Sequence, residues 1–91
     1  MNIDQEMNNV INRIRKIRQE QNMSQLELAT IANFSQSFLA NVESGKKKPS
    51  VMTILRIAKA LNVNPREFFS ESDYNSKDEI KTKIHYMLEK L

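Results

Sequence analysis

The chain has no cysteine, no tryptophan, one glycine and two prolines in 91 residues. Without cysteine there is no disulfide framework and no thiolate metal site, which fits a reducing compartment, so a cytoplasmic location is the expectation. No run of about eighteen apolar residues occurs, and no segment is expected to cross a membrane. The N-terminal MNIDQEMNNV carries acids and asparagines where a secretory signal would carry a basic and then an apolar segment, so no such signal is expected. Strand signals are missing as well, since no stretch alternates apolar and polar residues with β-branched enrichment. Scarce glycine and proline with no strand pattern predict an all-α fold of helices joined by short turns. The length suits one domain with one modest core.

Net charge is small, at +3, but it is unevenly spread. Residues 1–70 hold ten Lys/Arg against six Asp/Glu, and residues 71–91 hold four against five, so the positive excess lies outside the tail. Mild basicity of this kind permits a nucleic-acid partner without requiring one.

What is present is helical periodicity. Ile3, Met7, Val10, Ile11, Ile14 and Ile17 step by 4, 3, 1, 3 and 3 along one face of a first helix, about residues 3–21, started near Asn2 or Asp4. Gln21 and Asn22 break it. Ser24 with Glu27 has capping-box spacing, and Leu28, Ala29, Ile31 and Ala32 then give a second helix over about 25–32. Asn33, which tolerates the left-handed backbone of a sharp helix end, follows directly. Ser35 caps a third helix, about 36–44, which Gly45 ends. Pro49 and Ser50 open a fourth, with Val51, Ile54, Leu55, Ile57, Ala58 and Leu61 as its buried stripe. Asn64 caps a short fifth helix at Pro65, and Phe68 and Phe69 are expected to plug the core. The predicted division is a domain over 1–69, a linker over 70–77 (SESDYNSK) and a last helix over 78–91.

The third helix is the informative one. Leu39 and Val42 share one face, with Phe38 beside them. Gln36, Ser37, Ala40, Asn41 and Ser44 form the other face, which is uncharged and mostly polar. Solvated helix surfaces normally prefer Glu, Lys and Arg. Amides and hydroxyls are what base edges in a major groove require: Gln or Asn pairs bidentately with adenine, and Ser donates to or accepts from any base. Lys46, Lys47 and Lys48 follow at once. A loop set beside a duplex puts lysines near phosphates, where they add affinity without sequence information. The same lysines also suit the helix dipole.

The segment MSQLELATIANFSQSFLANVESGKKKPS, followed by TILRIAKALNVNPREFF, resembles the lambda-type phage repressor, Cro and Xre-like helix-turn-helix family over about residues 9–69. Ser24-Gln25, Leu28-Ala29, Ser35-Gln36, Glu43, Gly45, Pro49-Ser50, Ile57-Ala58 and Leu61 keep the family spacing together. The resemblance implies a five-helix DNA-binding domain, here with an added C-terminal helix. It implies base contacts from Gln36, Ser37 and Asn41, and phosphate contacts from Gln25, Ser44, Lys46 and Lys48. Arg18 and Glu43 match a partly buried ion pair tying the first helix to the end of the third. The chain departs from the pattern in three places. Asn33 replaces the turn glycine. The recognition helix has no Arg or Lys for a bidentate guanine contact. Phe38 stands where a tyrosine hydroxyl would meet a phosphate.

The family binds near-palindromic operators in double-stranded DNA as two-fold dimers. In the tail, Ile80, Ile84, Met87 and Leu91 step by 4, 3 and 4, the spacing of a packing seam. That stripe is expected to form a homodimer interface, the alternative being that it folds back on the first or fourth helix of the same chain. No nucleophile–base arrangement or metal set is visible, so no enzyme activity, metal or cofactor is implied. His85, the single histidine, has no second ligand. The implied function is a transcriptional regulator acting by operator occupancy, either a repressor or a controller of restriction–modification type. Two alternatives stand beside it: an antitoxin that binds a toxin partner and represses its own operon, and a protein-interaction module without DNA binding.

Overall fold

A computed structural model describes residues 2–69. The linker over 70–77 and the helix over 78–91, with its stripe Ile80, Ile84, Met87 and Leu91 and with His85, lie outside the described residues. Four α-helices are formed: α1 Ile3–Glu20, α2 Gln25–Ala32, α3 Gln36–Glu43 and α4 Val51–Leu61. A single 3-10 turn, Pro65–Phe68, follows, and no strand occurs among the described residues. The short fifth helix expected at Pro65 is this 3-10 turn, capped by Asn64, so the α-helices among the described residues number four. Four residues close only i→i−3 bonds, such as Glu67 N–H to Asn64 O and Phe69 N–H to Arg66 O, both 3.0 Å.

Each helix starts on a side chain that accepts an otherwise unpaired backbone N–H. Asn2 accepts from Gln5, Ser24 from Glu27, Ser35 from Phe38 and Ser50 from Thr53. At Ser24 the box is complete, because the Glu27 carboxylate accepts the Ser24 N–H in return. Such caps are each worth about 1 kcal/mol. The ends explain how the chain manages with so little glycine. Asn22, Asn33 and Asn62 adopt left-handed backbone with φ of 56°, 62° and 57°, and Gly45 does so at 83°. Asparagine enters this region at lower cost than other side chains, so three of the four reversals need no glycine.

The core gathers Val10 and Ile14 of α1, Leu28 and Ala29 of α2, Leu39 of α3, Ile54, Ile57, Ala58 and Leu61 of α4, and Phe68. Burying a side chain such as Leu39 or Ile57 contributes about 1.5–3 kcal/mol each. Several expected core positions are exposed instead. Phe68 is 1% exposed while its neighbour Phe69 is 54% exposed, because one 3-10 turn can aim only one of two adjacent rings at the core. Ile3, Ile31, Val51 and Leu55 are also exposed. Ile3 lies in the first turn of α1, beyond the packed elements. Val51 and Leu55 stand four apart on a flank of α4 that no described element covers. Helical periodicity marks an apolar arc wider than the face the neighbouring helices occlude.

Long-range polar contacts finish the frame. Gln21 donates to Leu61 O at 2.8 Å, giving a partner to one of the last carbonyls of α4. Arg13 Nε donates to Glu67 O at 3.3 Å. These contacts hold α1 against the end of α4 and the 3-10 turn.

Candidate nucleic-acid interface

α2 and α3 are joined by three residues. Asn33 turns left-handed, its N–H reaching Thr30 O at 3.2 Å, and Phe34 N–H reaches Ala29 O at 2.8 Å. Ser35 then caps the next helix. Two capped eight-residue helices across such a turn make an αα-hairpin of helix-turn-helix size. α3 seats Leu39 and Val42 in the core, both fully buried. Its remaining face therefore points outward.

On that face Gln36, Ser37, Asn41 and Ser44 are exposed and Ala40 is half-buried. No hydrogen bond engages the Gln36 or Asn41 side chain among the described residues. Ser37 Oγ lies 3.3 Å from Ser35 Oγ, and Ser44 Oγ donates to Asn41 O at 3.2 Å. Gln36 and Asn41 thus keep their full donor and acceptor capacity for an external partner. Ser37 keeps acceptor capacity, and Ser44 keeps its lone pairs while its proton faces the helix.

The end of α3 is fastened to α1. Arg18 grips the Glu43 carboxylate with two donors, Nε to Oε2 at 2.8 Å and Nη2 to Oε1 at 2.9 Å. A third donor, Nη1, reaches Met23 O at 2.8 Å. Glu43 is 3% exposed and Arg18 9%, so this is a buried, bidentate pair rather than a surface contact. Gln25 Nε2 donates to Glu43 Oε1 at 3.2 Å. The residue expected at a phosphate is thereby braced against α3, with one amide proton and its carbonyl oxygen left over. Arg15, which sequence reasoning missed, donates to Glu43 O at 3.1 Å and to Asn12 Oδ1 at 2.6 Å. Its position three residues before Arg18 on α1 was the available signal.

The loop after α3 carries the lysines. Gly45 at positive φ reverses the chain, and Lys47 N–H returns to Asn41 O at 3.0 Å. Lys46, Lys47 and Lys48 are exposed. They are not equivalent. Lys48 pairs with Asp4 at 2.9 Å in an exposed contact, and Lys47 Nζ lies 5.3 Å from the centroid of Phe38. Lys46 forms no side-chain bond among the described residues. Exposed ion pairs contribute little and exchange readily for a phosphate, so Lys48 remains able to leave Asp4. The polar face of α3 and this loop lie next to each other. Among the described residues no group of three His, Cys, Asp or Glu could hold a metal ion, and no helix is long and apolar enough to cross a membrane.

The helix-turn-helix family model matches residues 14–68, from the middle of α1 through the 3-10 turn. The chain belongs to the helix-turn-helix family. It is similar to the immunity repressor protein of Bacillus phage phi105, with 36% identity over 75 residues covering 74% of this chain and 52% of that one. It is also similar to the HTH-type transcriptional regulator PuuR of Escherichia coli, with 31% identity over 61 residues covering 67% of this chain and 33% of the relative. The chain thus spans about half the length of the first relative and a third of the second. Among solved structures, the restriction–modification controller protein C.AhdI of Aeromonas hydrophila superposes with a TM-score of 0.66 at 33% identity, covering 69% of this chain and 96% of that one. A mutant of the restriction–modification controller protein C.Esp1396I gives 0.67 at 28% identity, covering 71% and 84%. The helix-turn-helix likeness thus takes in α2, α3 and the elements that brace them.

Proposed function

We propose that the chain is a sequence-specific DNA-binding transcriptional regulator that acts in the cytoplasm by occupying an operator, as a repressor or controller. The observation that carries this reading is the outer face of α3: exposed amides at Gln36 and Asn41 with no partner among the described residues, beside a lysine loop. Gln36, Ser37 and Asn41 read base edges in the major groove. Lys46, Lys48 and the remaining proton of Gln25 meet phosphates, and Ser44 does so once its hydroxyl turns away from Asn41 O. Kinship to a phage repressor and likeness to controller proteins support the regulatory role. No reaction is required, because a bound protein excludes or assists polymerase by position alone.

One such motif covers about half of an operator, and two-fold dimers read near-palindromic sites with half-sites a helical turn apart. The chain accordingly binds as a homodimer. Val51, Met52 and Leu55, all exposed on α4, and the sequence stripe Ile80, Ile84, Met87 and Leu91 supply apolar surface for a second copy.

The test is selection of bound duplexes from a random pool by the purified wild type and by Gln36→Ala, with sedimentation of the complex. A near-palindromic motif bound by two chains is expected. Gln36→Ala is expected to lose about 1–3 kcal/mol at that site and to relax preference at one base position in each half. An identical motif for both proteins refutes the assignment of Gln36, and no enriched motif at all refutes DNA reading.

A further inference from the structure

Arg56 lies on α4, outside the core stripe, and is half-buried. Its Nη2 donates to Ala32 O and to Asn33 O, both at 2.8 Å. These are the last carbonyl of α2 and the carbonyl of the left-handed turn residue. Helix ends leave their last carbonyls without intrahelical partners, and α2 has no basic residue in its own last turn. Arg56 supplies that cation from a different helix. Its guanidinium carbon also sits 4.2 Å from the centroid of Phe34. The Phe34 ring packs on Phe38 at 4.9 Å between centroids, and Phe38 in turn carries Lys47 on its ring. A column of cation, ring, ring and cation thus runs from α4 through the turn and the start of α3 to the lysine loop.

We propose that Arg56 is a positioning residue for base reading: clamping both turn carbonyls and stacking on Phe34, it sets the angle at which α3 leaves α2. This inference rests on the DNA-binding reading above. Arg56 need not touch DNA to do this. α3 has eight residues, hence a length of about 12 Å. On that length, a change of about 10° at Asn33 moves the far end by about 2 Å. Hydrogen bonds to base edges weaken steeply with such displacements. Contacts of long, flexible lysines to phosphates follow the backbone and tolerate it. Loss of the clamp therefore removes discrimination between sequences and spares non-specific affinity. Lysine is a poor substitute: its ammonium carries enough protons for both carbonyls, but it has no flat guanidinium face to stack on Phe34 while bonding them.

The experiment compares wild type, Arg56→Lys and Phe34→Leu, each shown folded by circular dichroism at the working temperature. Affinities are measured for the selected operator and for a scrambled duplex over a series of salt concentrations, and specific and non-specific values are compared at the same salt. For both variants the ratio of specific to non-specific affinity is expected to fall about tenfold, the equivalent of one charged hydrogen bond. Scrambled-duplex affinity and its salt slope should stay at the wild-type level. Without DNA, the Asn33 and Phe34 amides of Arg56→Lys should exchange about tenfold faster relative to core amides such as Ile57. A wild type that selects an operator while both variants keep its ratio overturns the positioning role. Unchanged exchange at the turn amides overturns it too, whatever happens on DNA. A wild type that selects no sequence overturns the DNA-binding reading itself, and is distinguished from failure of the clamp by that result.

Discussion

Replacing Arg18 with Met should be among the most damaging single changes in this domain. The Glu43 carboxylate would keep only the Gln25 amide among its three side-chain donors, while staying almost dry. Stranding a buried charge in this way costs about 3–5 kcal/mol. Met23 O would also lose its Arg18 donor, adding about 1 kcal/mol. Glu43→Leu strands the guanidinium instead, but leaves Met23 O satisfied, so it should cost less than Arg18→Met. The double variant removes both charges and fills much of the space with apolar atoms. Replacements of that kind are close to neutral, so it should lie within about 2 kcal/mol of wild type. The expected coupling in the double-mutant cycle is then at least about 2 kcal/mol. Whole domains are stable by only about 5–15 kcal/mol. All four proteins should therefore be unfolded with urea in a constant concentration of sucrose, which keeps the weak single variants folded at the start. Because the pair is buried, the coupling should persist in about 0.5 M salt. A coupling below about 0.5 kcal/mol, or a double variant as unstable as the sum of the singles, would refute a bidentate buried pair.

The exposed pair should behave in the opposite way. Asp4→Asn should change stability by less than about 0.5 kcal/mol, yet raise DNA affinity a few-fold at low salt by releasing Lys48. That gain should vanish by about 0.5 M salt, and equal low-salt affinities would contradict a phosphate role for Lys48. Lys46→Ala and Lys48→Ala should each reduce the slope of log affinity against log salt by about 1, on operator and scrambled duplex alike. A double variant with wild-type low-salt affinity would leave these lysines as solubilising charges. Gly45→Ala should cost about 1 kcal/mol in urea unfolding from its positive φ alone, since an added Cβ there meets no atom within 4 Å. Gly45→Asn should cost less, and a larger loss for Asn than for Ala would contradict a purely backbone origin.

Local chemistry made much of this molecule legible from its sequence. A serine or asparagine before an apolar period announces a helix start, because the unpaired N–H groups of a first turn need an acceptor within three residues. Asn33 and Gly45 announce helix ends because few residues tolerate positive φ. The absence of charge on the outer face of α3 is likewise a local property, visible by counting along a helical wheel. Arg18 and Glu43 were legible only through family spacing, since nothing local pairs residues twenty-five positions apart.

Tertiary structure decided the rest. Periodicity shows that Val51, Leu55, Ile31 and Phe69 are apolar, but whether a neighbour covers them depends on how the helices cross. It also fixes the destinations of long side chains. Arg15 reaches the end of α3, Gln21 the end of α4, and Arg56 the turn between α2 and α3, each across more than twenty residues of chain. Lys48 finds Asp4 because the loop after α3 comes to lie beside the first turn of α1. A helix can announce its own ends, but the carbonyls left at those ends are completed by whichever donor the packing brings near. That pairing is a property of three-dimensional proximity, which sequence order alone does not encode.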